Sequence, residues 1–151
     1  MGDVKMSKQK KLFLFSLLSF FFLTVSNNCQ TFGKLYTIDE VNQLHGPVLQ
    51  KVAFSPTQFQ TFLTETNKVL MFTFKSDNLF IAVDGRKVIY PDSTGISPDD
   101  TLEIFSKSNI EDLLNGAFSD SVYIEKRSEV ISITYDNTTL ELPGYCPPFC
   151  F

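Results

Sequence analysis

The chain has no tryptophan, one histidine and three cysteines among 151 residues, and each scarcity narrows the chemistry open to it. Without tryptophan it lacks the broadest aromatic face for stacking on a sugar ring. Its only histidine, His45, cannot form a histidine pair for a metal, and no serine or cysteine with a nucleophile signature can be matched to it. Glycine-rich phosphate loops, a G-x-S-x-G elbow and an H-E-x-x-H helix are all missing. Nothing in the sequence calls for a cofactor.

What is present begins with a leader. Lys5, Lys8, Lys10 and Lys11 precede an apolar run from Leu12 to Val25. At about 14 residues that run is short of the roughly 20 needed to span a bilayer. Its length and basic flank are those of a secretory signal peptide, here residues 1–29. Thr24 and Ser26 suit a cleavage site giving a start at Asn27, whereas cleavage after Cys29 exposes Gln30. Lipidation of Cys29 is a third outcome, although Ser26-Asn27-Asn28 fits it poorly. Cysteine parity favours removing or lipidating Cys29, because that leaves the even pair Cys146 and Cys150. The expected location is extracytoplasmic: periplasmic, secreted or surface-anchored.

From Gln30 onward, nine basic residues face sixteen acids, a formal charge of −7. Such a balance argues against nucleic acid and anionic lipid as partners. The remaining length, about 120 residues, suits a single domain over 30–145. Eleven phenylalanines outside the leader supply its core, and no transmembrane span is expected in the mature chain.

Helix signals occur three times. Thr37-Ile38-Asp39-Glu40 is a capping box closed downstream by Gly46-Pro47. Ser55-Pro56 opens a helix whose apolar face is Phe59, Phe62 and Leu63. Ser108 to Glu111 is a second capping box, with Ile110, Leu113 and Leu114 as its face. The near-continuous apolar runs Val69–Phe74 and Leu79–Val83 read as strands covered on both sides. Asp84-Gly85 reads as a two-residue hairpin turn. Val130–Tyr135 alternates, which predicts a strand with one solvated face, and Asp136-Asn137 turns it into Leu140–Leu142.

These marks recur 51 and then 52 residues apart. Phe54, Ser55, Phe59 and Phe62 match Phe105, Ser106, Ile110 and Leu113; Phe72 matches Tyr123; Leu79, Ile81 and Val83 match Ile131, Ile133 and Tyr135. The expectation is a tandem β-α-β-β-β duplication over 47–91 and 98–143. The fold class is α+β, an antiparallel sheet of about eight strands with two to three short helices.

Candidate sites are sparse. Cys146-Pro147-Pro148-Phe149-Cys150, in a tail over 146–151, reads as a small disulfide loop, with a redox or metal site as the weaker alternative. His45 reads as a helix-end residue favoured by exposed carbonyls. Asp39-Glu40 and Glu111-Asp112 suit first helical turns, and Asp99-Asp100 suits a solvated loop. Asn137-Thr138-Thr139 is a glycosylation sequon on a turn. Together these point to an exported, non-enzymatic binding or assembly domain with a protein or peptide partner. The alternative is an extracytoplasmic enzyme or metal/redox accessory protein using Cys146, Cys150 or a carboxylate site.

Overall fold

The computed structural model describes residues 31–91, 95–116, 118–141 and 143–146. Its class is α+β, with three short helices and ten strands in two antiparallel sheets of five. One sheet has the order β1 (Lys34–Thr37), β9 (Thr138–Glu141), β8 (Ile131–Tyr135), β7 (Val122–Lys126), β2 (Gln50–Phe54). The other runs β10 (Gly144–Cys146), β6 (Leu102–Ser106), β3 (Val69–Lys75), β4 (Asn78–Val83), β5 (Lys87–Tyr90). The helices are α1 (Ile38–His45), α2 (Pro56–Thr64) and α3 (Lys107–Asn115).

The expected strands are therefore divided between two sheets instead of lying in one. The cause is the helices: α2 leaves β2 in the first sheet and delivers the chain to β3 in the second, and α3 makes the reverse passage from β6 to β7. Phe59, Phe62 and Leu63 of α2 and Ile110 and Leu113 of α3 enter one core with Leu70, Phe72 and Ile81 of the second sheet and Ile124, Ile133 and Leu140 of the first. Phe54 sits edge-on to both Phe62 and Tyr90, at centroid separations of 5.3 and 5.0 Å, a favourable aromatic geometry.

The expectation that the runs Val69–Phe74 and Leu79–Val83 are covered on both sides holds. Leu70, Phe72, Leu79 and Ile81 face the main core. Met71, Ala82, Leu102 and Ile104 form a second cluster on the opposite face, under Phe32, Val69 and Ile96. Lys75 helps to hold the loop that carries Ile96, donating to the Gly95 carbonyl and pairing with Asp100 at 2.7 Å.

Local signals are realised unevenly. The Thr37–Glu40 capping box forms as expected, and the Ser55 hydroxyl accepts from Gln58 N. The third helix starts one residue before the expected box, at Lys107 with Ser106 as its cap residue. Ser106 Oγ makes no capping bond because it accepts from Phe32 N instead. Asp84-Gly85 does not make a two-residue hairpin: Val83 pairs with Lys87, so three residues turn the chain, and Arg86 joins Gly85 at positive φ. The Asp84 carboxylate accepts from Thr66 Oγ1 and Asn67 N, which holds the turn open toward the α2–β3 connection. The two-residue turn lies instead at Ser76-Asp77, both at positive φ, between paired Lys75 and Asn78.

The largest departure concerns β8. All five of its residues are buried, including the polar positions Ser132 and Thr134 expected to meet water. Successive antiparallel pairings make β1 and β2 run parallel at opposite edges of their sheet. The link between them therefore crosses the outer face, and α1 lies on it.

Candidate functional site

Under α1 the outer face of the first sheet forms a buried polar layer. Strand alternation sends Ile124, Ile133 and Leu140 to the core, so Glu125, Ser132, Thr134, Thr139 and Glu141 point the other way. Each of these five is buried, and Arg127, just past the end of β7, is only 1% exposed. Burying that guanidinium is tolerable only where its donors are met. Nη1 donates to Asn42 Oδ1 at 2.8 Å and to the Gly46 carbonyl, Nη2 to Glu125 Oε2 at 3.1 Å, and Nε to Ser132 Oγ at 3.3 Å. Glu141 Oε1 lies 3.8 Å from Nε. Thr134 Oγ1 donates to Glu125 Oε2 at 2.9 Å and accepts from Thr139 Oγ1 at 3.0 Å.

His45, at the last position of α1, places Nε2 3.6 Å from Glu141 Oε2. It sits at the helix end as expected, but it also has a carboxylate neighbour that sequence reasoning missed. Near Glu141, Glu103 of β6 accepts from Ile131 N at 2.8 Å, bridging the two sheets. Burial pushes the Glu103 carboxyl up to about 7; the charge of Glu141 adds to the rise and the Ile131 hydrogen bond opposes it.

This cluster gathers three glutamates, an arginine and a histidine, the ingredients of acid–base chemistry. Yet Arg127 and Glu141 have no exposed side-chain surface, so substrate does not reach them. The arrangement fastens the C-terminal end of α1 to the sheet. A groove of about 520 Å³ lies elsewhere, lined by Thr57, Gln60, Thr61 and Thr64 of α2 with Leu114, Asn115 and Tyr135. It contains no ionisable group besides the Tyr135 phenol, which donates to the Ser119 carbonyl.

The other sequence-derived candidates are dispersed. Asp39 and Glu40 lie in the first turn of α1, where the capping bonds to Thr37 hold the Glu40 carboxyl below its ordinary value. Glu111, on α3, stands 4.0 Å from Lys107. Asp100 is engaged by Lys75 and by Ser97 N, and both contacts lower its pKa. Among the described residues no group of three histidines, cysteines or carboxylates is placed to hold a metal ion. Asn137 is exposed on the β8–β9 turn. Cys29 and Cys150 fall outside the described residues, and of Cys146 the backbone alone is described, in β10 opposite Leu102. Among the described residues no helix is long and apolar enough to cross a membrane.

Among the described residues the exposed large apolar side chains are Leu35, Leu44, Leu49 and Phe118. Leu44 and Leu49 are 61% and 64% exposed and flank the turn that feeds β2. No protein family, curated protein or solved structure matches this chain.

Proposed function

We propose that the chain is exported and serves as a non-enzymatic binding or assembly domain for a protein or peptide partner. The observation that carries this reading is the exposure of Leu44 and Leu49 at the mouth of an edge strand that, among the described residues, pairs on one side alone. α1 lies over part of the outer face of the first sheet, and Phe32 and Ile96 pack on part of that of the second. In this reading the contact surface is the α1–β2 corner, where both leucines lie. Apolar side chains beside an open strand edge favour association.

Three further elements belong to the same reading. The basic and apolar leader supports export. A Cys146–Cys150 bridge would suit an oxidising compartment. Descent from a tandem duplication is supported by the shared β-α-β-β-β order of 47–91 and 98–143. Phe59 and Ile110, each the fourth residue of its helix, have no exposure.

The test is affinity capture by the exported wild-type protein and by a Leu44→Glu/Leu49→Glu variant. A partner retained by the wild type and lost by the variant, at unchanged melting temperature, is the expected result. Identical captured sets would defeat the reading.

A further inference from the structure

The two β-α-β-β-β runs exchange their first strands. Phe54 of β2 pairs with Val122 of β7, and Phe105 of β6 pairs with Leu70 of β3. Residues 51 apart, Phe54 and Phe105, thus stand opposite residues 52 apart, Leu70 and Val122. The next pairing repeats the relation: Phe72 with Ile81, Ile124 with Ile133. The extra residue therefore falls between helix and strand, so Ile124, not Tyr123, is the counterpart of Phe72. In position β2 is to its sheet what β6 is to the other.

The far sides of these two strands differ. On β6 lies β10, antiparallel, with Gly144, Tyr145 and Cys146 opposite Ile104, Glu103 and Leu102. The matching positions on β2 are Lys51, Val52 and Ala53, and among the described residues no strand lies beyond them. The fold itself shows that an edge of this geometry takes an antiparallel strand. We propose that the free edge of β2 receives an extended segment of another protein, which adds a sixth strand to the first sheet across Lys51–Ala53. This deepens, and rests on, the binding reading above.

The chemistry of the edge specifies the segment. Main-chain hydrogen bonds supply affinity and alternate side chains supply selectivity in strand addition. Lys51, whose Nζ lies 4.6 Å from the centroid of the Tyr123 ring, is the one charged residue of β2. A segment carrying an acidic side chain opposite or diagonal to it gains a cross-strand pair. Leu49, just before β2, offers an apolar contact at one end. The same charge disfavours a second copy of this chain. Antiparallel pairing centred on Val52 would set the two Lys51 side chains on one face at a diagonal spacing of about 7–8 Å, a like-charge contact.

The test selects 12-residue peptides from a random displayed library on the full folded chain and remakes the enriched ones synthetically. Backbone amide exchange is then measured with and without peptide. The expected result is enrichment of proline-free segments with at least one Asp or Glu, and slowed exchange at Lys51–Ala53. Lys51→Glu should weaken binding at least tenfold. Ala53→Pro should abolish it, since proline on an edge strand removes a donor without breaking the sheet. Lys51→Glu, a surface change, decides the matter if the proline variant does not fold. Peptides that bind and are lost with Leu44→Glu/Leu49→Glu, but leave Lys51–Ala53 exchange unchanged, overturn strand addition and spare the binding reading. Failure to enrich any peptide defeats both. Concentration-dependent dimers of the free chain that vanish with Ala53→Pro would show that the edge serves a second copy and overturn the assignment to another protein.

Discussion

His45 and Glu141 meet at 3.6 Å, one at the end of α1 and the other in β9, where the glutamate has no exposed side-chain surface. Arg127 approaches the same carboxylate from its other oxygen at 3.8 Å. The two side chains differ in what else they hold. Arg127 also binds Asn42, Gly46, Glu125 and Ser132, whereas a quarter of the His45 side chain is exposed.

Their removal should therefore differ in cost. His45→Ala is expected to lose a helix-end interaction of about 0.3–1 kcal/mol. Arg127→Met strands buried carboxylates and should cost about 3–5 kcal/mol. Urea unfolding of the two variants at one pH measures both. Equal losses would mean that the guanidinium is not what fastens α1.

Stability should also fall with rising pH in a defined window. The Glu103 carboxyl, ordinarily near 4.5, titrates at about 7 in the fold. Between those values the folded chain keeps a proton that the unfolded chain has released, and stability declines wherever the native state binds more protons. Below 4.5 both states are protonated and the effect vanishes; above about 7 the loss is complete. Glu103→Gln, neutral throughout, should flatten this component and exceed the wild type in stability at pH 8 while matching it near pH 4. Urea midpoints across that range test it, and parallel wild-type and variant profiles would refute it.

The legible parts of this fold were those set by local chemistry. The capping box at Thr37, the Ser55-Pro56 start and the double-sided cover of Val69–Phe74 and Leu79–Val83 follow from hydrogen bonding and composition alone. The solvated face assigned to β8 failed for a tertiary reason. A polar residue at every second position looks the same whether water or a helix meets it, and only the crossing of α1 decides. Arg127 and Glu141 carried no sequence flag because their significance lies in mutual burial across separate strands. The edge strands β1 and β10 are four and three residues long, too short for alternation to show. The tail expected from Cys146 onward accordingly starts with the last residue of β10.

At the C-terminus, changing Cys146 and Cys150 together to serine should leave the fold intact. Three residues separate them, so a bridge would close a loop far shorter than the 15 residues worth about 3 kcal/mol. Among the described residues Gly144–Cys146 also pairs with the sheet on one side alone. Thermal unfolding of the double variant reads this directly, and a fall of more than about 8 °C, the shift of roughly 2 kcal/mol in a domain of about 120 residues, would show that the tail is integral to the core.

At the other end, intact mass should show that the exported chain starts between Asn27 and Gln30, with Met1 absent. A mass matching the chain from Cys29 plus acyl groups would select lipidation over simple cleavage. Retention of Met1 would overturn export through this leader.

The start of the described chain and its last strand are tied by one steric relation. A Cβ added at Gly144 would come within 2.3 Å of the Phe32 ring, while Phe32 is pinned by hydrogen bonds from its N–H to Ser106 Oγ and from Ser106 N to its carbonyl. Gly144→Ala should therefore displace the ring from its packing on the Met71–Ile104 cluster, at about 1–3 kcal/mol for overpacking. Phe32→Ala removes that apolar cover and should cost about 1.5–3 kcal/mol. The double variant removes the collision together with the ring, so its cost should fall short of the sum by about 0.5–3 kcal/mol, the range for residues in contact. Chemical denaturation of the four proteins gives the coupling. A value near zero would mean that Gly144 and Phe32 do not touch, and that β10 reaches β6 without needing a glycine there.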